Sequence, residues 1–153
     1  MPDPVNIHAT AVVVGEAGLL FVGPSGIGKS AMALQCLATA RRAGWTAALV
    51  ADDQVFISRQ NGRLVATRPA AIAGLIEIRG SGIAAIPSIP EAPLHLAILL
   101  VDQRTAERLP AEDQTYPVPG HGALPQLLLV NDHREPLAAI AALHPRIGIP
   151  TTL

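Results

Sequence analysis

The sequence holds one lysine, one cysteine and few aromatics: one Trp, one Tyr and two Phe. Each scarcity excludes something. The single cysteine, Cys36, can close no internal disulfide, and it stands among Ala and Leu in a predicted helix. It reads as a small buried hydrophobe of a reducing compartment. With so few aromatics, Ala, Val, Leu and Ile must build the core. Charged residues make up only 15% of the chain, which is low for a soluble domain. Either a partner subunit covers apolar surface, or an Ala-rich composition raises hydrophobicity without adding an interface.

The formal net charge is −1 and the arginines are scattered. No basic patch for nucleic acid or an anionic membrane follows from that pattern. No unbroken apolar run, Leu96 to Val101 included, is long enough to span a bilayer. The opening MPDPVNIHAT has neither the basic region nor the apolar run of a secretory signal. A soluble, cytoplasmic protein is expected, with residues 1–153 as a single domain.

Two apolar runs, Ala11 to Val14 and Leu19 to Val22, flank the turn-like Gly15-Glu16-Ala17-Gly18 and predict a β-hairpin. The second run leads into GPSGIGKS, and AMALQCLATARRAG then predicts a helix capped by Gly44. TAALVADD reads as a buried strand ending in two acids. VFISRQNGRLVATRP reads as a second hairpin with Asn61-Gly62 at its tip. GLIEIRGSGI predicts one strand that carries Glu77 and Arg79 on the same face. IPSIPEAP is a Pro-rich connection, and LHLAILLVD another strand. Residues 103–125 read mostly as loop with one helical turn. PQLLLVND is a short strand or the start of a helix, and EPLAAIAALH is a helix with Pro136 in its first turn. The sum is an α/β P-loop domain with a mixed sheet and hairpins.

The only lysine explains itself by its neighbours. Gly23, Pro24, Ser25, Gly26, Ile27, Gly28, Lys29 and Ser30 fit G-x-x-x-x-G-K-[ST] at every fixed position. The glycines let successive N–H groups curl around phosphate oxygens, and the following helix adds its positive N-terminal end. Lys29 supplies a compact charge for the β- and γ-phosphates, and Ser30 a hydroxyl for Mg²⁺.

A phosphate loop needs an acid for the metal or the nucleophile. Asp52-Asp53 after TAALVA and Asp102 after LAILLV compete for that place. The pair is favoured, because adjacent acids at a strand end point in different directions. One can serve the metal while the other faces an incoming hydroxyl. Glu77 and Arg79 suit a metal ligand and a phosphoryl clamp, or a solvated ion pair. His8, just ahead of the first hairpin, is a further candidate. Arg108 in AERLP reaches phosphate or ends a helical turn, and His95, His121, His133 and His144 stay unassigned.

IHAT around His8, the hairpin, GPSGIGKS, LVADDQV, GLIEIRGSGI and ERLP together resemble the catalytic domain of the HPr kinase/phosphorylase family. Its members act on a serine of HPr, the phosphocarrier of the sugar phosphotransferase system. The resemblance implies a phosphoenolpyruvate-carboxykinase-like fold and a short, alphaproteobacterial-type form made of the C-terminal catalytic domain alone. It implies Asp53 as general base, with His8, Lys29, Arg79 and Arg108 in the catalytic site. Ser30, Glu77 and Asp52 would lie on the Mg²⁺ side, ATP would be the donor, and the protein would assemble as a homo-hexamer. Ala31 stands where that family usually has an acid, and PGHGALPQLLLVNDHREPLAAI lacks the basic, glycine-containing loop that the family uses in dephosphorylation. Three functions are therefore weighed: an ATP-dependent serine kinase of HPr, with or without the reverse phosphorylase reaction, a P-loop hydrolase or small-molecule kinase using Asp102, and a nucleotide-responsive regulator that transfers nothing.

Overall fold

The computed structural model describes residues 3–150. The chain begins with β1 (Val5–Ile7), β2 (Ala9–Val14) and β3 (Ala17–Val22), and then enters helix α1 (Lys29–Arg42). β4 (Ala47–Ala51) follows, then the hairpin of β5 (Val55–Gln60) and β6 (Arg63–Thr67). A third hairpin, β7 (Leu75–Ile78) and β8 (Gly82–Ala85), leads to β9 (Glu91–Pro93) and β10 (Leu96–Val101). β11 (Thr115–Val118), β12 (Gly122–Val130) and helix α2 (Pro136–Leu143) complete it.

The six-stranded central sheet has the order β11-β12-β10-β3-β2-β4. It is mixed: β10 runs parallel to β3 and β12, whereas β2 is antiparallel to β3 and β4. Side chains alternate across it. Leu19, Phe21, Leu96 and Ile98 face α1 and α2, where Met32, Cys36, Leu37, Leu137 and Ile140 meet them. Leu20, Ala11, Ala51 and Ala97 face the second sheet, β1-β5-β6-β9, and close against Ile57, Leu64, Ala66 and Ala92. Alanine thus has a use inside the molecule, because small side chains let the two sheets approach closely. The layers are helices, mixed sheet and second sheet.

Local chemistry sets the ends of the elements. At the end of α1, Gly44 takes φ +80°, its N–H bonds Arg41 O, and the Trp45 N–H bonds Ala40 O. This pair of bonds is the glycine-terminated helix stop expected from the sequence. Asn61 and Gly62 both have positive φ (52° and 77°), as the tight β5–β6 turn requires.

Three sequence expectations change, and one open alternative is resolved. GLIEIRGSGI is two strands, because the chain turns at Arg79-Gly80-Ser81, and Arg79 leaves the strand that carries Glu77. The Pro-rich connection contains β9, and residues 103–125 contain β11 and the start of β12. Both β9 and β11 lie at sheet edges, where a proline lacking N–H costs no ladder bond. Pro125 likewise precedes Gln126, the first β12 residue paired with β10. PQLLLVND is strand, and AERLP forms a bend with no helical turn.

Candidate active site

The loop Gly23–Gly28 joins β3 to α1 at one end of the central sheet. Gly26 and Gly28 have φ of +83° and +113°, which L side chains adopt only with strain. A Cβ on Gly26 would also stand 3.0 Å from the Arg79 guanidinium. The first N–H groups of α1 have no acceptor within the helix and are available to an anion.

Lys29 is 5% exposed, and its ammonium donates to Gly23 O (2.8 Å) and Pro24 O (3.2 Å). It pairs with no carboxylate among the described residues. A buried ammonium held by two carbonyls still seeks a negative partner. Phosphate oxygens fit that demand.

β4 delivers the acids. Between Ala11 and Val12 the β2–β4 pairing shifts register, with Leu49 and Ala51 opposite adjacent residues of β2. Such a bulge re-aims the side chains beyond it. Asp52, 6% exposed, turns toward the loop and accepts Ser30 Oγ at 2.6 Å, Thr10 Oγ1 at 2.8 Å and the Glu77 N–H at 2.9 Å. Asp53 takes φ +70°, donates its N–H to Thr10 Oγ1 and sends its carboxylate out into the cleft, where it pairs with the His8 ring. The two acids therefore diverge. One is buried beside the Ser30 hydroxyl, and one is exposed with a carboxylate oxygen left for a substrate proton.

A cleft of about 590 Å³ opens over the loop, lined by Lys29, Ser30, Asp53, Glu77 and Arg79 among others. The β7–β8 hairpin forms its far wall, so Arg79 reaches the loop at Gly26 even though it lies in a turn. Ala31, Leu34 and Ile78 give the cleft an apolar side that residue-by-residue motif reading passed over.

Arg108 is not brought into this cleft. It lies exposed in the bend after β10 and lines no part of the site. Asp102 is also diverted. Its carboxylate accepts from the Arg104 backbone N–H (2.8 Å) and the Arg104 guanidinium (3.2 Å), which hold it below the usual carboxylate range. His121 is buried at the β11–β12 turn, where its ring meets Asp3 O, and His95 accepts the Gly18 N–H.

Thr10 was missed. It is fully buried and ties Asp52 to Asp53 through one hydroxyl. The available signal was a single polar residue inside the apolar run ATAVVV.

Strand, glycine loop, buried lysine and helix, with a bulged strand supplying acids from the side, define a P-loop α/β domain of the kinase-like class. The profile of the HPr serine kinase C-terminal domain family matches residues 1–117. The chain belongs to that family. It is similar to an HPr kinase/phosphorylase of Clostridium tetani, 40% identical over 84 residues, covering 55% of this chain and 26% of the relative. One of Clostridium novyi is 36% identical over 118 residues, covering 71% of this chain and 36% of the relative. The chain therefore spans about a quarter to a third of the length of these curated relatives. The solved structure of the HPr(Ser) kinase/phosphatase from Coxiella burnetii superimposes with a TM-score of 0.76 at 25% identity, covering 92% of this chain and 89% of that one.

Proposed function

We propose that this domain is an ATP-dependent protein-serine kinase whose acceptor is the phosphocarrier HPr. The observation that carries the reading is the exposed Asp53 carboxylate, held by His8 and opening into the cleft that Lys29 and the loop amides line. A base in that position can take a proton from a hydroxyl delivered from solvent, as a protein acceptor must be.

The Lys29 ammonium and the first-turn N–H groups bind the β- and γ-phosphates of ATP. Asp53 accepts the serine proton as the serine oxygen bonds to the γ-phosphorus, the bond to the β-phosphate bridging oxygen breaks, and ADP leaves. His8 holds the carboxylate in place and leaves its second oxygen to the acceptor. Arg79 lies across Gly26 and offers a planar donor fork to the transferred group.

Ser30, Asp52 and Glu77 present only hard oxygen donors, and the 2.6 Å contact of Ser30 with Asp52 places two of them together. That donor set fits Mg²⁺, which takes one or two carboxylates and completes its shell with phosphate and water. When bound, Mg²⁺ would neutralise phosphate charge. The Arg104 contacts of Asp102 speak against the reading in which that acid serves the metal.

The test is intact-mass spectrometry of HPr from the same organism after incubation with this protein, ATP and Mg²⁺. One phosphate gained on serine, and lost with Asp53→Asn, is the expected result. An unmodified HPr with ATP still bound would overturn the proposal and leave a nucleotide-responsive regulator.

A further inference from the structure

We propose that Asn131, just past β12, is a positioning residue for the phosphate loop. It holds the Ile27 carbonyl and thereby turns the Gly28 N–H into the cleft. The inference rests on reading residues 23–30 as a phosphate site.

Asn131 Nδ2 donates to Ile27 O at 2.9 Å, across 104 residues of sequence. Its own backbone N–H donates to Val101 O at 2.8 Å, so the residue is anchored to the end of β10 before its side chain reaches the loop. β10 in turn pairs with β3, the strand that delivers the loop. The bond thus ties the loop to the central sheet.

Its effect follows from peptide geometry. In a planar trans peptide the carbonyl of one residue and the N–H of the next point to opposite sides. Gly28 borders the cleft and Asn131 does not. Fixing the Ile27 carbonyl on the Asn131 side therefore aims the Gly28 N–H at the cleft. Without that hold the Ile27–Gly28 peptide could turn over, because glycine tolerates both signs of φ and Gly28 sits at +113°. The turned peptide would present a carbonyl oxygen where a phosphate oxygen must sit. Ile27 cannot resist through its own N–H, which reaches only Pro24 O within the same loop (3.1 Å).

Asn131 lies outside residues 1–117 matched by the family profile. The loop's support thus comes from a part of the chain that carries none of its motifs. The same segment is tied to α1 by Gln35, whose amide donates to Arg134 O. That contact touches no loop carbonyl and provides a control.

The experiment titrates the full chain with ATP and with inorganic pyrophosphate, comparing wild type, Asn131→Leu and Gln35→Ala. Leucine is close to asparagine in shape, removes the donor and adds no charge. About tenfold weaker binding of both ligands to Asn131→Leu is expected from the loss of one hydrogen bond that orients another. Gln35→Ala should bind both like wild type. The second readout is the Gly28 amide resonance of glycine-labelled protein. Pyrophosphate should shift it strongly in wild type and weakly in Asn131→Leu, a change that a general loss of stability would not produce.

Unchanged binding by Asn131→Leu would overturn the inference. So would a wild-type Gly28 amide that ignores pyrophosphate while Gly26 responds, a measurement that stands even if the variant does not fold. Wild-type protein that binds neither ligand would bring down the phosphate-site reading itself, and the inference with it.

Discussion

Two strands of the central sheet end in aspartate, and they meet opposite fates. β10 lies directly beside β3, so Asp102 leaves its strand next to the phosphate loop. Yet Asp102 folds into its own turn and is held by Arg104, two residues on. β4 is separated from β3 by β2, and Asp52 nevertheless reaches Ser30. The bulge opposite Ala11 and Val12 is the difference. It bends β4 as it leaves the sheet, and Thr10, Ser30 and the Glu77 N–H capture the carboxylate there. Nearness along the sheet matters less than which hydrogen-bond donors await a side chain.

The strongest way to break this comparison is to swap the chemistry at its outermost acid. Asp53→Asn keeps the shape and removes the proposed base, and single-turnover phosphate transfer should fall by roughly 10²–10⁴-fold. ATP titration should be nearly unchanged. Transfer at the wild-type rate would move the base elsewhere.

Asp52→Asn strikes the buried partner. One carboxylate oxygen takes the Glu77 N–H and the other takes two hydroxyls, so an amide either sets its NH₂ against the Glu77 N–H or turns it on Thr10 and Ser30 and reverses those bonds, losing the carboxylate charge in both cases. Denaturant unfolding in the absence of metal should show a loss of about 1–3 kcal/mol, because three charge-assisted bonds are weakened or lost. An unchanged midpoint would mean that the captured geometry contributes little to the fold.

Thr10→Val sharpens the same point with a smaller change. It preserves volume but removes the hydroxyl that joins the two acids, leaving the Asp53 N–H without its partner. A loss of about 1 kcal/mol is expected by the same unfolding measurement. Transfer should also slow, because Asp53 is then less firmly held in its left-handed conformation. Equal stability with full transfer would show that the Thr10 hydroxyl is dispensable.

Asp102→Asn should do least. It lines no part of the cleft, and transfer rate and ATP affinity should stay within about twofold, as for most surface changes. Its pH signature has a definite sign. Arg104 lowers the folded carboxyl below its unfolded value, so any stabilisation is present above the unfolded value and is lost as pH falls through the folded one. Any stability gap between wild type and Asp102→Asn should therefore be open at neutral pH and close as pH falls through the folded value. A large loss of transfer at neutral pH would restore Asp102 as the metal-side acid.

The most readable parts of the sequence were those where one residue type has few physical alternatives. Gly44 stops α1, Asn61-Gly62 turns the β5–β6 hairpin, and GPSGIGKS forms the loop, each through backbone conformations that few other residues share. Prolines misdirected the reading between residues 87 and 125, because a proline at a sheet edge looks, in sequence, like a proline in a loop. Arg108 shows the same limit at a residue expected in the site. An arginine can reach many places, and only the path of the bend after β10 leaves it in solvent.

What the sequence alone determined was a phosphate-binding loop between strand and helix, with paired acids available to it. Backbone torsions, glycine tolerance and the charge of one lysine act over a few residues and are written locally. Which acid turns inward, that Thr10 joins the two, and that Asn131 steadies the loop from 104 residues away were decided only by tertiary structure. Those outcomes depend on hydrogen-bond partners that sheet order and one bulge bring together, and no local pattern encodes a partner's position.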